Sequence, residues 1–302
     1  HSPYTLSLHD ALPILLMLIT AMIWGSGFVA QTSGMDHIGP YLYTGLRFAL
    51  GSLCLLPLLL RRSGAAKPEP LMTRGLLLGG IVMGLALCTG INLQQVGLLF
   101  TSVTNAGFIT GLYVIVVPLL GLLLGHKTGT GTWLGAGLAV AGMFLLSVGD
   151  NFHVASGDWL QLIGAFVWGG HVILVGVFAS RHDAIRLAFL QFLTCSVISL
   201  ILALIFEDIQ LQSIIAAGPA LLYGGVVAVG IGYTLQVVAQ KDAIASHAAI
   251  ILSLEAVFAA IAGALLLGES LHPKGYLGCA LMLAGMLLAQ LWPKKPEPVM
   301  AL

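Results

Sequence analysis

The chain has 302 residues, of which 58% are hydrophobic and only 8% charged, and its formal net charge is zero. Soluble domains carry about 25% charged residues, so this composition excludes a soluble globular protein and indicates a polytopic membrane protein. No basic stripe is present that would favour nucleic acid as a partner. The cysteines all lie in apolar runs, which favours helix packing over disulfides or a metal site; they are Cys54, Cys88, Cys195 and Cys279.

The chain begins with a short polar stretch. Residues 1–14 read HSPYTLSLHDALPI, with no basic region and no cleavage site, so they do not resemble a signal peptide. The sequence then changes abruptly into the apolar run LLMLITAMIWGSGFVA. We therefore expect residues 1–14 to be a non-native or disordered leader, and we assign no function to them.

Ten apolar runs follow, each long enough to cross a bilayer, which takes about twenty residues as a helix. The connections between them are too short to hold a soluble domain. In chain order, the predicted helices 1 to 10 cover 12–30, 41–60, 75–97, 102–124, 130–148, 158–179, 186–206, 214–238, 246–267 and 275–292.

The distribution of Lys and Arg predicts the orientation, because these residues are enriched in cytoplasmic loops. If both termini lie in the cytoplasm, only Lys274 falls outside and only Arg47 lies within a span. The tail 294–302 is then cytoplasmic. The basic residues on the inside are Arg61, Arg62, Lys67, Arg74, Lys127, Arg181, Arg186, Lys241, Lys294 and Lys295.

The second half of the sequence repeats the first. WLGAGLAVAGM at 133–143 aligns with YLGCALMLAGM at 276–286, an offset of 143 residues. Trp24-Gly25 recurs as Trp168-Gly169 at an offset of 144. Because each repeat has five helices, an odd number, the second enters the membrane from the opposite side.

The expected fold class is therefore an all-α integral membrane protein of ten transmembrane helices, built as two inverted five-helix repeats. We place the first repeat at 15–149 and the second at 150–293. Inverted repeats are the architecture of many secondary transporters, with the solute site near the midplane between the repeats. A simple duplication of a structural bundle is the alternative explanation of the repeat.

Two charged residues lie inside predicted helices, where a charge costs roughly 2.5 to 3.5 kcal/mol on insertion scales. Glu255 is near the middle of helix 9 and could carry a proton or pair with a substrate amine; the alternative is a hydrogen bond that joins helices. Arg47 is in the outer third of helix 2 and could bind an anionic group. It could equally reach the outer interface or fix helix 2 to its neighbours, and we favour this structural or gating role.

Several uncharged polar and aromatic residues are further candidates for a cavity wall. His171 lies well inside helix 6 and could relay protons, although a lone histidine inside a span is more often a packing residue, and we favour that role. Trp24 and Trp168 occupy equivalent positions in helices 1 and 6, where they could line a cavity or simply pack.

The remaining candidates for the cavity wall are amide, hydroxyl and aromatic side chains. Amides at the ends of helices 3 and 8 could join helices or line the entrances; they include Gln94, Gln95 and Gln236. Further candidate wall residues are Asn105, Thr110, Tyr113 and Tyr233.

These motifs resemble the EamA-type permeases of the drug/metabolite transporter superfamily. The matching residues are Trp24-Gly25-Ser26-Gly27-Phe28-Val29-Ala30, Arg47-Phe48, Thr101-Ser102 with Asn105-Ala106-Gly107-Phe108-Ile109, Ser253-Leu254-Glu255-Ala256-Val257, and Leu267-Gly268-Glu269. The resemblance covers nearly everything after residue 14. It implies a ten-helix permease whose helices 1, 3, 4, 6, 8 and 9 line a central cavity.

The sequence departs from the family pattern at one position that bears on mechanism. Members commonly have Pro after the helix 9 glutamate, where this chain has Ala256. The repeat also aligns Glu255 with Tyr113, so it contains one acid rather than two. A symmetric coupling scheme with two carboxylates is therefore not expected.

The predicted function is secondary transport of small metabolites such as amino acids by alternating access, with export favoured because many relatives export. The partners are a small solute, the lipid bilayer and a coupled proton, with a homodimer through helices 5 and 10 as a further possibility; no cofactor or metal is expected. The predicted location is the cell (inner) membrane. A passive channel or an intramembrane enzyme is the alternative, although the sequence has no catalytic motif. The sequence also has no nucleotide-binding loop that would indicate an ATP-driven pump.

Overall fold

A computed structural model describes residues 8–63, 73–125, 128–147, 155–268 and 273–292. Every regular element in these ranges is helical. Nine of the described helices are long and apolar enough to cross a membrane, and one more apolar helix is shorter. The predicted all-α integral membrane fold is confirmed.

The ten helices are labelled α1 to α10 and correspond to predicted helices 1 to 10. Their bounds are α1 Leu8–Met35, α2 Pro40–Ser63, α3 Arg74–Gly97, α4 Val103–Leu123, α5 Thr130–Ser147, α6 Ser156–Ala179, α7 Ala184–Phe206, α8 Gly218–Gln240, α9 Ala245–Leu266 and α10 Pro273–Leu291. A short helix, Leu211–Ala216, precedes α8.

The first helix begins earlier than the change in composition suggests. It starts at Leu8, and Ile14 packs against the main core. The second half of the expected leader 1–14 therefore belongs to α1. Residues 1–7 and the tail 294–302 lie outside the described residues.

Polar side chains at the helix starts satisfy backbone N–H groups that have no partner within the helix. Thr73 caps α3 by accepting a bond from the N–H of Leu76, and Asp183 caps α7 by accepting one from Arg186, at 3.2 and 2.9 Å. At the start of α2, the carboxylate of Glu207 accepts bonds from the N–H groups of Tyr41 and Leu42, at 2.7 and 2.8 Å. Because Glu207 follows α7, this contact also ties the end of α7 to the start of α2.

The helices pack in a reciprocal pattern. Helix α1, the first of the first half, packs against α8 and α9. Helix α6, the first of the second half, packs against α3 and α4. Likewise α2 packs against α8, and α7 against α3. The pairs α2–α7 and α5–α10 join equivalent helices of the two halves. This exchange of partners is the packing expected of two related five-helix units.

Glycines bring α5 and α10 into close contact. A Cβ at Gly135 would lie 2.6 Å from the carbonyl oxygen of Gly285, and a Cβ at Gly285 would lie 2.6 Å from that of Gly135. A Cβ at Gly142 would overlap the carbonyl oxygen of Gly278. The glycine faces of both helices are therefore used within the chain, and the homodimer through helices 5 and 10 stays a prediction.

Large apolar side chains cover the outside of the bundle. Leu123, Leu204 and Leu265 are 84%, 74% and 78% exposed. A surface of this kind requires an apolar solvent, which the hydrocarbon core of a bilayer provides. Most polar side chains in the middle of the spans are buried, and many of them meet in one cavity.

Candidate functional site

One cavity lies inside the bundle and is bordered by all the helices that the family resemblance implies, together with α2. Its wall is formed by Trp24, Phe28 and Gln31 of α1, Arg47 of α2, Ile91 and Gln94 of α3, Thr110 and Tyr113 of α4, Trp168 and Val172 of α6, Ala228, Tyr233 and Gln236 of α8, and Glu255 of α9.

The glycine of each Trp-Gly pair lets two helices approach each other beside this cavity. A Cβ at Gly25 would overlap that of Phe258 and lie 2.7 Å from the carbonyl oxygen of Glu255. A Cβ at Gly169 would lie 2.6 Å from Val116 in α4. Glycine is therefore required for α1 to contact α9 at the residue that bears the carboxylate.

Two helices change their winding where they meet the cavity. In α4 the N–H of Leu112 bonds to the carbonyl of Ile109, and in α9 the N–H of Leu254 bonds to that of Ile251, at 3.1 and 3.2 Å. These are tight three-residue turns, which often mark functional positions in the middle of a helix. Tyr113 directly follows the first turn and Glu255 the second, so equivalent turns present both side chains to the cavity.

Five wall residues each have a buried polar atom with no hydrogen-bond partner among the described residues. The atoms are Nε of Arg47, the hydroxyl of Tyr113, Nε1 of Trp168, and Oε1 of both Gln236 and Glu255. The Tyr113 hydroxyl and the Glu255 carboxyl interact with each other, although not with the geometry of a well-formed hydrogen bond. Buried polar groups are nearly always paired, so each such atom requires an explanation. Here the five residues line one cavity and include a basic and an acidic side chain, which is an arrangement that a polar solute could satisfy.

Arg47 is fully enclosed and does not reach the interface. Its side chain is 2% exposed, so the alternative in which it extends to the outer surface is wrong. Its Nη2 donates to Oε1 of Gln31 and of Gln95 at 3.3 and 3.4 Å, which are long bonds for a charged donor. The guanidinium also lies 5.2 and 5.3 Å from the ring centres of Tyr43 and Phe48. Because Nε stays unpartnered, Arg47 can still bind an acceptor in the cavity.

An amide network holds Arg47 in place and contributes Gln31 and Gln94 to the cavity wall. Gln31 accepts a bond from Nε2 of Gln94 at 3.2 Å, and its carbonyl oxygen accepts one from Gln95 at 3.4 Å. Gln161 donates to the carbonyl oxygen of Gln94 at 3.0 Å and accepts from Thr110 at 3.2 Å. The network joins α1, α3, α4 and α6, so the position of Arg47 depends on four other helices.

Aromatic rings form the middle of the wall. Tyr233 lies between the two tryptophans, 4.4 Å from the ring centre of Trp24 and 6.2 Å from that of Trp168. Tyr233 is also within electrostatic range of both Arg47 and Glu255. The cavity wall therefore combines a cluster of aromatic rings with a basic and an acidic side chain.

Three of the predicted site residues do not line this cavity. His171 is fully buried between α6 and α7, where its Nε2 bonds to Oε1 of Gln191 at 3.0 Å. Gln95 supports Arg47 from behind, and Asn105 lies in the first turn of α4, where its N–H bonds to Ser102. The remaining predicted residues line the wall; they are Trp24, Arg47, Gln94, Thr110, Tyr113, Trp168, Tyr233, Gln236 and Glu255.

Sequence reasoning missed Gln31, which is the central acceptor of the amide network. It lies near the end of an apolar run, where a polar residue is ordinarily a boundary residue exposed to water. Its spacing of seven residues from Trp24 places both side chains on one face of α1. That spacing was the available signal.

Close contact between α1 and α9 predicts a large difference between two neighbouring glycines. Gly25→Ala should lower the melting temperature and reduce transport, because the new Cβ meets the backbone of α9 and overpacking costs about 1–3 kcal/mol. Gly27→Ala is the matched control, since its Cβ would lie 3.7 Å from that of Ala228, an ordinary contact. Thermal unfolding of both variants in detergent measures the effect. Equal melting temperatures would show that α1 and α9 can separate without cost.

The fold and the cavity define the class: an integral membrane transporter. The EamA-like transporter family model matches residues 11–148 and again residues 155–291. The chain therefore belongs to the EamA-like transporter family.

Similar proteins are consistent with this membership. An uncharacterized transporter of Archaeoglobus fulgidus is 29% identical over 276 residues, which cover 91% of this chain and 84% of that protein. The inner membrane transporter YedA of Escherichia coli K12 is 26% identical, with 91% and 90% covered. A solved crystal structure at 18% identity covers 93% of this chain and 99% of its own, with a TM-score of 0.75, and shows the same fold.

Proposed function

We propose that this protein is a secondary transporter that exports small polar metabolites, such as amino acids, by alternating access. The observation that carries the proposal is that five residues of one cavity wall each have a buried polar atom without a well-formed hydrogen bond to the described residues. An amino acid has a carboxylate that suits Arg47 and an ammonium group that suits Glu255, and its side chain can lie against the aromatic rings between them.

The proposed topology has two inverted repeats, 15–149 and 150–293. The protein is proposed to lie in the inner membrane of the cell, with both termini in the cytoplasm. The reciprocal packing of the helices supports the repeats, and the positions of Lys and Arg support the orientation. Export is proposed by analogy with the family. Glu255 is proposed to carry the coupled proton, since it is an acidic side chain on the cavity wall.

Counterflow in proteoliposomes tests this function. Vesicles loaded with an unlabelled mixture of the standard L-amino acids should transiently accumulate labelled amino acids from outside, because an alternating-access carrier exchanges solute across the membrane. Protein-free vesicles are the control. A channel would equilibrate the label without this overshoot, and such a result would contradict the proposal.

A further inference from the structure

We propose that Trp168 donates its indole N–H to an acceptor oxygen of the transported solute, whereas the equivalent Trp24 donates its N–H to the backbone and joins α1 to α8. This division of roles between two equivalent residues rests on the proposed function, in which the cavity that both residues line is the solute site. It makes Trp168 a solute-binding residue and Trp24 a positioning residue.

The two tryptophans have equivalent surroundings in the two halves. Each lies against a glycine of the neighbouring helix: a Cβ at Gly232 would lie 2.9 Å from Nε1 of Trp24, and a Cβ at Gly90 would lie 3.1 Å from Cε2 of Trp168. Gly90 and Gly232 are 142 residues apart, the offset that also relates Gln94 to Gln236. The packing of the rings is therefore common to both repeats.

Their hydrogen bonds differ. Nε1 of Trp24 donates to the carbonyl oxygen of Ala228 at 3.3 Å. Nε1 of Trp168 is buried and has no partner among the described residues. Of the two equivalent indoles, only that of Trp24 has a hydrogen-bond partner among the described residues.

The winding of the facing helix explains the difference. Ala228 belongs to a π-helical stretch, Tyr223–Tyr233, in the middle of α8, whereas α3 is a continuous α-helix across the equivalent residues 81–91. The wider turn of a π-helix changes which N–H each carbonyl faces, so a carbonyl can accept a bond from outside the helix. Thr20 uses the same opportunity, since its hydroxyl donates to the carbonyl oxygen of Gly232 at 3.3 Å.

The sequence encodes this asymmetry. The π-helical stretch has four glycines among eleven residues, YGGVVAVGIGY, whereas the equivalent stretch of α3 reads IVMGLALCTGI with two. Glycine lowers the preference for the regular helix and permits other windings. The roles of the two tryptophans are therefore a fixed property of this chain.

The free N–H of Trp168 determines the chemistry of the solute. It is a donor only, so its partner must be an acceptor, and Trp168 is one of the residues that line the cavity. A carboxylate or carbonyl oxygen fits. A cationic solute without an acceptor oxygen could bind to the aromatic rings and to Glu255 but would leave this donor unsatisfied.

Replacing each tryptophan by Phe separates the two roles, because Phe removes the N–H and leaves a similar gap at both sites. Trp168→Phe should weaken amino acid binding about tenfold, the effect of one hydrogen bond to a charged group. It should lower the melting temperature less than Trp24→Phe, which leaves the carbonyl of Ala228 without its indole donor. The proposal would be overturned if Trp24→Phe weakened amino acid binding more than Trp168→Phe did, and if Trp168→Phe lowered the melting temperature more than Trp24→Phe did.

A measurement on the unmodified protein reports on each N–H directly and uses the Phe variants only to assign the signals. Indole ¹⁵N–¹H signals recorded in nanodiscs, assigned from the signal that each Phe variant lacks, report on each N–H. Addition of a mixture of the standard L-amino acids should shift the Trp168 signal and leave that of Trp24 unchanged.

Counterflow on the same preparation separates the two possible failures. If counterflow occurs while the Trp168 signal does not move, the assignment of Trp168 is wrong and the transport function stands. If counterflow is absent and neither signal moves, the proposed function fails, and the inference about Trp168 fails with it.

Discussion

Glu255→Gln should abolish pH-dependent transport and leave the protein folded. Gln has nearly the same shape as Glu but cannot carry a proton or a negative charge. Glu255 interacts with the hydroxyl of Tyr113, and Gln can still accept a bond from that hydroxyl, so the free energy of unfolding should change by no more than about 1 kcal/mol. Flux of labelled amino acids driven by a pH gradient in proteoliposomes measures the effect.

The control for this prediction is an acid outside the cavity. Asp242 is exposed between α8 and α9, so Asp242→Asn removes one carboxylate without touching the wall. It should transport at the rate of the unmodified protein. Normal pH-dependent flux in Glu255→Gln would exclude a role for this residue in coupling, and Glu255 would then be a buried polar residue on the wall.

The sequence predicted the position of Glu255 for a physical reason. A charge within an apolar run is costly, so its presence indicates an inward-facing site. The alignment of Glu255 with Tyr113 also anticipated that both occupy equivalent positions, and the structure places each directly after a tight turn in its helix. The turns themselves were not predicted, because neither is marked by a proline at the turn.

The winding of α8 could not be predicted from the sequence pattern either. Predicted helix 8 was a single span, 214–238, whereas the structure has a short helix before it and a π-helical stretch within it. Hydrophobic periodicity cannot distinguish these windings in a helix that is apolar on every side. The contrast between Trp24 and Trp168 therefore required the backbone hydrogen bonds, although the Trp-Gly repeat correctly predicted their equivalence.

His171 shows the limit of reading a buried polar residue from sequence alone. It is as deeply placed as Glu255, yet it faces Gln191 between two helices rather than the cavity. Depth in the membrane follows from position in the apolar run, whereas the direction of the side chain depends on how neighbouring helices pack. A single sequence predicts the depth of a residue in the membrane with some accuracy. It predicts the direction of the side chain only where a repeat or a spacing adds information.

Arg47→Gln should weaken the binding of amino acids by about tenfold to a hundredfold, because it removes a charged donor that faces the cavity. The same substitution should not lower the melting temperature much. The two bonds that Arg47 makes are long, and Gln31 keeps its bond from Gln94 when the guanidinium is absent. An enclosed cation without a described carboxylate in contact also carries a desolvation cost that the substitution removes.

Two solutes and one control variant distinguish binding from architecture. The unmodified protein should prefer an amino acid to its amide, which lacks the carboxylate, and Arg47→Gln should lose this preference. Lys274→Gln, at the exposed start of α10, removes a basic residue far from the wall and should retain it. If Arg47 is only structural, the melting temperature of Arg47→Gln will fall while the preference for the free carboxylate remains. Such a result would restore the structural role that the sequence favoured, and it would leave Glu255 as the single charged contact for the solute.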